Sequence, residues 1–342
     1  MSQKEEQAEL FNEGMIKEMF GLRKNHARPI GIDLGHDSLK LAQLDNIEMG
    51  TILLAGNSKR TPTDMVRGSS AWQKWAIETI RLLSTYGHFQ GKEVIAAMPT
   101  GDVFIDHMKM PKVKSDNLYD AIFTKIKQKL PFESLQDNTM MQYIPTEEDN
   151  VLVMATERRI IDRHLAIYEK AGLSIKSIGV WPTALANCYV KCFGRRKSDL
   201  EAVVMLICVE ADCTNVVICR HEKLLLARSL PIGAEKLGDE QAATKLFMEL
   251  TACKRQFGLI YRNAQIERLI FLSGQSVSIE IYAAIAKQLE MPAQMGDCLA
   301  AVKIGKSCRL GRVDNDQERS DNSIDRRDCY VNWAVAFGLS LS

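Results

Sequence analysis

Pro29-Ile30-Gly31-Ile32-Asp33-Leu34-Gly35 is the stretch from which the rest of the chain can be read. An apolar run ending in Asp-x-Gly is a strand that stops at a turn, here His36-Asp37-Ser38. Leu39-Lys40-Leu41-Ala42-Gln43-Leu44 then alternates as a second strand. A glycine at a strand end lets backbone N–H groups approach a phosphate closely. Asp33 at that end suits a metal-bound water, and Lys40 suits a phosphate oxygen. Asp-x-Gly alone is a weak signal, and a plain hairpin is the competing reading.

Outward from this hairpin, strands and helices alternate. Residues 70–86 are periodic, with Trp72, Trp75, Ala76, Thr79, Ile80 and Leu83 on one face. Val94-Ile95-Ala96-Ala97-Met98 reads as a buried strand ended by Pro99. A helix carries Leu118, Ile122 and Ile126 and stops at Pro131. Val151–Ala155 is a strand, and the next helix turns Ile161, Leu165 and Tyr168 inward, with Gly172 at its C′ position. Residues 202–230 read as three successive strands. A long helix around 239–263 places Leu246, Leu250, Cys253, Phe257 and Tyr261 on one side. Arg268–Ser273 is a strand, followed by a helix with Tyr282, Ile285, Ala286 and Leu289 inward. Residues 311–328 carry ten charges in eighteen positions and read as a solvated loop.

The 342 residues suffice for about two domains. Lys+Arg is 44 against Asp+Glu 43, so bulk charge does not hold this chain to nucleic acid or anionic lipid. Nine cysteines without Cys-x-x-Cys spacing, several inside apolar runs, read as reduced, buried thiols. The polar, acidic start is no signal peptide, and no run of about 18 apolar residues spans a membrane. No P-loop, Gly-x-Gly-x-x-Gly, Gly-x-Ser-x-Gly or His-Glu-x-x-His is present. The six histidines are scattered without ligand spacing, and His164 reads as a partly buried or surface residue.

Taken together, Pro29–Gly35 with Lys40, Leu130-Pro131-Phe132-Glu133, Ala171-Gly172-Leu173, Ala227–Gly233, Leu272-Ser273-Gly274 and Ala336-Phe337-Gly338-Leu339 resemble the PilM family over residues 29–342. PilM proteins are the cytoplasmic, actin-like (FtsA-related) components of type IV pilus assembly platforms. The resemblance implies an α/β, actin-like fold with duplicated ribonuclease H-like lobes and an inserted FtsA/PilM-type subdomain. On this chain that gives an N-terminal extension at 1–28 and a first lobe at 29–199 plus 329–342. The insert falls at about 94–177 and the second lobe at 200–328. The resemblance also implies a PilN-like bitopic membrane protein whose cytoplasmic N-terminus enters a groove beside the insert. Met98, Phe104, Ile105, Met108 and Met110 are candidate walls of that groove. Pilus motor ATPases and self-association are further candidate partners.

The same resemblance sets a nucleotide site that this sequence departs from. The phosphate and adenosine loops would use Asp33, Gly35, His36, Lys40, Gly274 and Gln275. Cys208 stands where the second loop carries Asp, and Glu210 where it carries Gly. A thiol is a poor member of a magnesium shell, and a glutamate repels a polyphosphate unless it turns away or pairs. His36 and Asp37 replace small hydroxyl residues, and Gln275 replaces a second glycine. The expectation is a non-catalytic adaptor with no metal and no required cofactor, held at the inner membrane through its partner. The alternatives are an ATP-binding PilM whose nucleotide state modulates the partner, and a GspL-like type II secretion component. A sugar or acid kinase lacks its catalytic carboxylate, and the uncharged C-terminal stretch differs from the basic membrane helix of FtsA. An MreB-like filament former lacks the Leu-Pro-Phe insert.

Overall fold

The computed structural model describes residues 28–47, 50–112, 117–133, 135–272, 277–305, 310–312 and 331–342. The extension before Arg28, most of the charged stretch at 313–328, and Gly274 and Gln275 lie outside these described residues.

In chain order the first elements are β1 (Ile30–Leu34), β2 (Ser38–Ile47), β3 (Gly50–Arg60), α1 (Ser70–Tyr86) and β4 (Glu93–Met98). Then come β5 (Phe104–Lys109), α2 (Leu118–Ile126), β6 (Thr139–Pro145), β7 (Asn150–Glu157) and α3 (Arg158–Lys170). β8 (Ser174–Val180) and α4 (Trp181–Cys192) follow, and after them β9 (Val203–Val209), β10 (Thr214–Arg220) and β11 (Lys223–Leu230). The remainder is α5 (Glu240–Ile260), β12 (Arg268–Phe271), α6 (Ile279–Leu289), β13 (Ala293–Met295), α7 (Cys298–Ala301), β14 (Lys303–Ile304), β15 (Leu310–Arg312) and α8 (Ala334–Ser340).

The main sheet has the order β14-β3-β2-β1-β4-β8, with β15 also on β3. The second sheet has the order β11-β10-β9-β12-β13. Without β14 and β15 the two orders are identical. Each is an antiparallel meander whose first strand takes a parallel neighbour, which takes another. This duplication is the actin-like arrangement expected from the sequence.

The first sheet is covered on both faces, which is why Ile30–Leu34 is apolar almost throughout. Ile30, Ile32, Leu34, Leu39 and Leu41 pack under Trp72, Ala76, Ile80 and Leu83 of α1. Ser69 caps α1 by accepting from the Trp72 N–H at 3.1 Å. Ala42, Leu44 and Ile95 turn the other way, toward α4 and α8. There α8 comes so close that a Cβ on Gly31 would lie 2.0 Å from the Ala336 carbonyl oxygen. A Cβ on Gly338 would lie 1.8 Å from that of Ala184. Those two glycines are therefore packing requirements. In the second lobe, α5 lays Leu246, Leu250, Cys253 and Phe257 on Met205, Ile207 and Ile218.

The insert differs from its expected limits. Its separate sheet, β5-β7-β6, carries α2 on one face through Ile122 and Ile126 against Val151, Val153 and Ala155. Residues 94–98 and 174–177 belong to the first sheet instead, because β4 pairs parallel with β1 and β8 with β4. The insert sheet thus runs from Phe104 to Glu157. The second lobe also ends before 328: β14 and β15 return to the first sheet, parallel to β3. The α3 face is shifted as well. Its buried residues are His164, Ile167 and Tyr168, with Ile161 and Leu165 only half-buried. Gly172 takes φ +84° after the helix, where Leu173 N–H donates to Tyr168 O at 3.1 Å, as the C′ reading requires.

Candidate functional site

The C-terminal ends of β1 and β9 face one another between the lobes, and the candidate phosphate residues meet there. Asp33 and Lys40 are seven residues apart because they are direct cross-strand partners in the β1–β2 ladder. Lys40 Nζ lies 2.9 Å from Asp33 Oδ2 and 3.8 Å from Glu210 Oε2. The ammonium is only 1% exposed, so these carboxylates supply the charge partners that a buried lysine needs. Burial lowers the Lys40 pKa, but Asp33, Glu210 and Asp37 more than offset it and hold the group charged.

Glu210 is the centre of the arrangement. Its Oε1 accepts from the Cys208 thiol at 3.2 Å and from Asn332 Nδ2 at 3.0 Å. Asn332 Nδ2 also lies 3.0 Å from Cys208 Sγ. Burial pushes the Glu210 carboxyl up to about 7, opposed by Lys40 and reinforced by Asp33 and Asp37. The Cys208 thiol is raised by burial and by Glu210. The glutamate thus pairs with the lysine that a phosphate would need. Two further bonds close the lobes: His36 Nδ1 lies 3.3 Å from Asp212 Oδ2, and Asn215 Nδ2 donates to Thr100 Oγ1 at 3.1 Å.

The cavity left between these groups is about 70 Å³. It is lined by Asp33, Gly35, His36, Arg67, Glu210 and Asp212 among others. Cofactor pockets run to roughly 300–1,000 Å³, while a water occupies about 30 Å³. The described residues of this cleft thus present three features unfavourable to a nucleotide phosphate. Its lysine is already paired with carboxylates, its second loop adds one of them, and its volume is that of a few waters. Gly274 and Gln275, on the adenosine side, lie outside the described residues.

The groove candidates are divided among three places. Phe104 and Ile105 line a larger cavity of about 530 Å³ together with Gly101, Asp102, Pro131, Phe132, Glu157, Ile160, Arg228 and Ser229. This brings the Leu-Pro-Phe segment to the β5 edge. Met98 is buried and lines the small cleft instead, because β4 is interior to the first sheet. Met108 and Met110 pack on the core of the insert, Met108 four residues beyond Phe104 on the same strand face.

Sequence reading missed the residues that join cleft to groove. Gly101 lines both cavities. Thr100 beside it holds Asn215 of the second lobe, and Asp102 holds α3, with His164 Nε2 at 3.5 Å and Arg163 at 4.0 Å. Burial raises the Asp102 carboxyl, but His164 and the arginines Arg67 and Arg163 bring it below its ordinary value. His164 is 1% exposed and edge-on to Trp72, which corrects the partly buried or surface reading. Burial lowers its pKa. No sequence signal ties Asp102 to a histidine 62 residues away.

A second contact docks the insert on the second lobe. Tyr261 is buried just past α5, and its hydroxyl donates to Leu225 O at 2.9 Å. The same oxygen lies 2.8 Å from Thr146 Oγ1 and 3.0 Å from His107 Nε2. Arg220 Nη2 stands 3.5 Å from Glu147 Oε2 nearby.

Duplicated lobes and an insert between β4 and α3 define an actin-like protein of the type that carries such an insert. The family model "Type IV pilus assembly protein PilM" matches residues 31–252. The chain belongs to that family and is a type IV pilus assembly protein. The solved PilM-PilN type IV pilus biogenesis complex is similar at 18% identity and TM-score 0.72, over 92% of this chain and 98% of that one. The cytoplasmic domain of EpsL, an inner membrane component of the type II secretion system of Vibrio cholerae, gives 10% identity and TM-score 0.47, over 84% and 90%. A protein of actin-like ATPase fold from Bacteroides thetaiotaomicron gives 12% and 0.49, over 82% and 94%. No curated protein sequence matches the chain. Among the described residues, no helix is long and apolar enough to cross a membrane, and no group of three or more His, Cys, Asp or Glu is arranged to hold a metal ion.

Proposed function

We propose that this chain is a non-catalytic, actin-like adaptor of a type IV pilus assembly platform. It binds the cytoplasmic N-terminal segment of a PilN-like membrane protein and so stays cytoplasmic, peripheral to the inner membrane. The observation that carries the non-catalytic part is Lys40. Its charge is already matched by Asp33 at 2.9 Å and Glu210 at 3.8 Å, and a phosphate entering the cleft would have to displace a carboxylate.

The partner segment enters the 530 Å³ groove, where Phe104, Ile105, Pro131, Phe132 and Ile160 offer apolar contact and Asp102, Glu157 and Arg228 offer polar ends. The PilM-PilN complex supports the kind of partner, since that relative was solved with PilN. A peptide copy of the PilN-like protein's N-terminus, followed by fluorescence anisotropy, tests this. Phe104→Asp and Ile105→Asp should each weaken binding at least about tenfold, the usual effect at an anchor position. Tyr86→Asp, on the far exposed end of α1, should leave it unchanged. Equal affinity in all three variants would move the binding site elsewhere.

A second reading, ATP as a modulator of the partner, draws on the Glu210 carboxyl near pH 7. Protonation there would release part of the hold on Lys40. Mg-ATP titration at pH 6 and pH 8 separates the two readings.

A further inference from the structure

The outer face of α5 carries an apolar stripe edged by cations. The inner stripe of that helix, Leu246, Leu250, Cys253 and Phe257, is buried on the second sheet. On the opposite face Met248 and Leu259 are 68% and 71% exposed, about three turns apart, with Ala252 exposed between them. Lys245, Arg255 and, just past the helix, Arg262 are exposed beside them. After Glu240 no exposed position of α5 carries a carboxylate, and Glu249 is half-buried against Arg228 Nη2 at 3.0 Å. Single exposed apolar residues are ordinary. An apolar stripe edged by cations alone is the complement of an acidic amphipathic segment.

The chain itself contains such a segment. Residues 1–27 lie outside the described residues, and their sequence sets Ala8, Phe11, Met15, Met19 and Leu22 at intervals of three and four. Glu5, Glu6, Glu9, Glu13 and Glu18 fall among them, against Lys17 alone from Glu5 to Leu22. Phe11 and Leu22 are separated by the same eleven positions as Met248 and Leu259. With Phe11 beside Met248, Met15 falls over the small Ala252, Glu18 comes level with Arg255, and Leu22 meets Leu259.

The point where the described chain begins suits this contact. Arg28 Nε lies 3.4 Å from Asp45 Oδ1 near the end of β2, and the next residue, Asn46, faces Thr51 in the β2–β3 ladder. Thr51 Oγ1 lies 3.5 Å from the Lys191 carbonyl oxygen in the last turn of α4. In that same part of α4 the Tyr189 hydroxyl accepts from Arg268 Nη2 at 3.2 Å. Arg268 opens β12, shortly after α5 ends. Residue 28 and the C-terminus of α5 are therefore at the same end of the molecule.

We propose that residues 8–22 dock in cis on the outer face of α5, parallel to that helix, with Phe11 on Met248, Leu22 on Leu259 and Glu18 paired with Arg255. Residues 23–28 are the connector and reach up to about 20 Å when extended. A tethered segment is present at an effective concentration on the order of millimolar, which keeps even a small contact closed. None of the α5 residues involved lines the partner groove, so the docking does not depend on the reading of that groove.

The test places a photo-cross-linker in the full chain, Phe11→p-benzoylphenylalanine, and maps the capture by mass spectrometry after irradiation and trypsin digestion. The expected product joins residue 11 to the peptide 246–254, which contains Met248. In a mixture of isotope-labelled and unlabelled chains, both halves of each product should carry the same label. Met248→Asp with Leu259→Asp, at positions the fold leaves exposed, should lower capture at least about tenfold. Arg255→Glu should lower it as well, and adding Glu18→Arg should restore it. Capture on any other surface overturns the proposal, and so does mixed-label capture, which would make the occupant a second copy. A folded protein that gives no capture, or an unchanged yield after Met248→Asp with Leu259→Asp, overturns it too.

Discussion

Lys40 and Glu210 meet across the two lobes, the ammonium 3.8 Å from the carboxylate, with Asp33 at 2.9 Å completing the set. The contact joins β2 of the first lobe to the residue just past β9 of the second. It also makes a buried lysine depend on both lobes at once.

Removing that lysine should be costly. Lys40→Met leaves Asp33 and Glu210 facing one another without their cation, and breaking a buried pair by deleting one partner costs about 3–5 kcal/mol. Urea denaturation should show the midpoint falling by that equivalent. The triple variant Lys40→Met/Asp33→Asn/Glu210→Gln should recover most of the loss, because no charge is then left buried. A Lys40→Met protein as stable as wild type would mean that the ammonium does no structural work.

Glu210 should leave a mark on the pH dependence of stability. Its folded pKa is raised to about 7 from an ordinary 4.5, through burial. A raised carboxyl holds its proton more tightly in the folded state than in the unfolded chain. Its contribution is therefore fully present below about pH 4.5 and is lost as pH rises through 7. Relative to Glu210→Gln, the wild type should lose up to roughly 3 kcal/mol between those values. Parallel stability curves for the two proteins over that range would contradict the burial of this group.

The close seat of α8 gives a packing test. Gly338→Ala places a methyl 1.8 Å from the Ala184 carbonyl oxygen. That contact can be relieved only by moving a helix, so the expected loss is about 3 kcal/mol, the upper end for ordinary overpacking. Gly258→Ala on α5, where a Cβ meets nothing within 4 Å, should be neutral or slightly stabilising. Thermal melting of the two variants side by side checks the contrast.

Tyr261 holds the insert to the second lobe through a single oxygen shared by Leu225, Thr146 and His107. Tyr261→Phe keeps the ring and removes these bonds, at an expected cost of about 1–3 kcal/mol. Hydrogen exchange should rise first in β6 and β7, since the insert then rocks more freely. Unchanged protection there would show that the sheet is held by other contacts.

Much of the fold was legible because its strands are covered on both sides. Ile30–Leu34, Val94–Met98 and Val203–Val209 are apolar runs with no other stable home. The α1 face at Trp72, Ala76, Thr79, Ile80 and Leu83 followed from its period alone. Lys40 was singled out by its spacing from Asp33, and that spacing is a cross-strand pairing. What could not be read depends on contacts distant in sequence. The return of Lys303–Ile304 to β3 rests on two residue pairs of a short edge strand. The burial of His164 rests on Asp102 and Trp72, from other elements. Asn332, which fixes Glu210, lies 122 residues beyond it. The split of the methionines followed from strand alternation and sheet order, which a run such as Val103–Met110 does not reveal by composition.

Thermal melting of the purified full chain with and without millimolar Mg-ATP tests the filled cleft most directly. A ligand at a hundredfold its Kd adds about 2.7 kcal/mol, enough to move the midpoint by at least about a degree or two. Wild-type protein should show no ATP-specific shift at pH 7.5, while Glu210→Gly with Cys208→Asp should gain one. A clear shift in the wild type, absent with Mg2+ alone, would contradict a cleft held shut by Lys40 and Glu210.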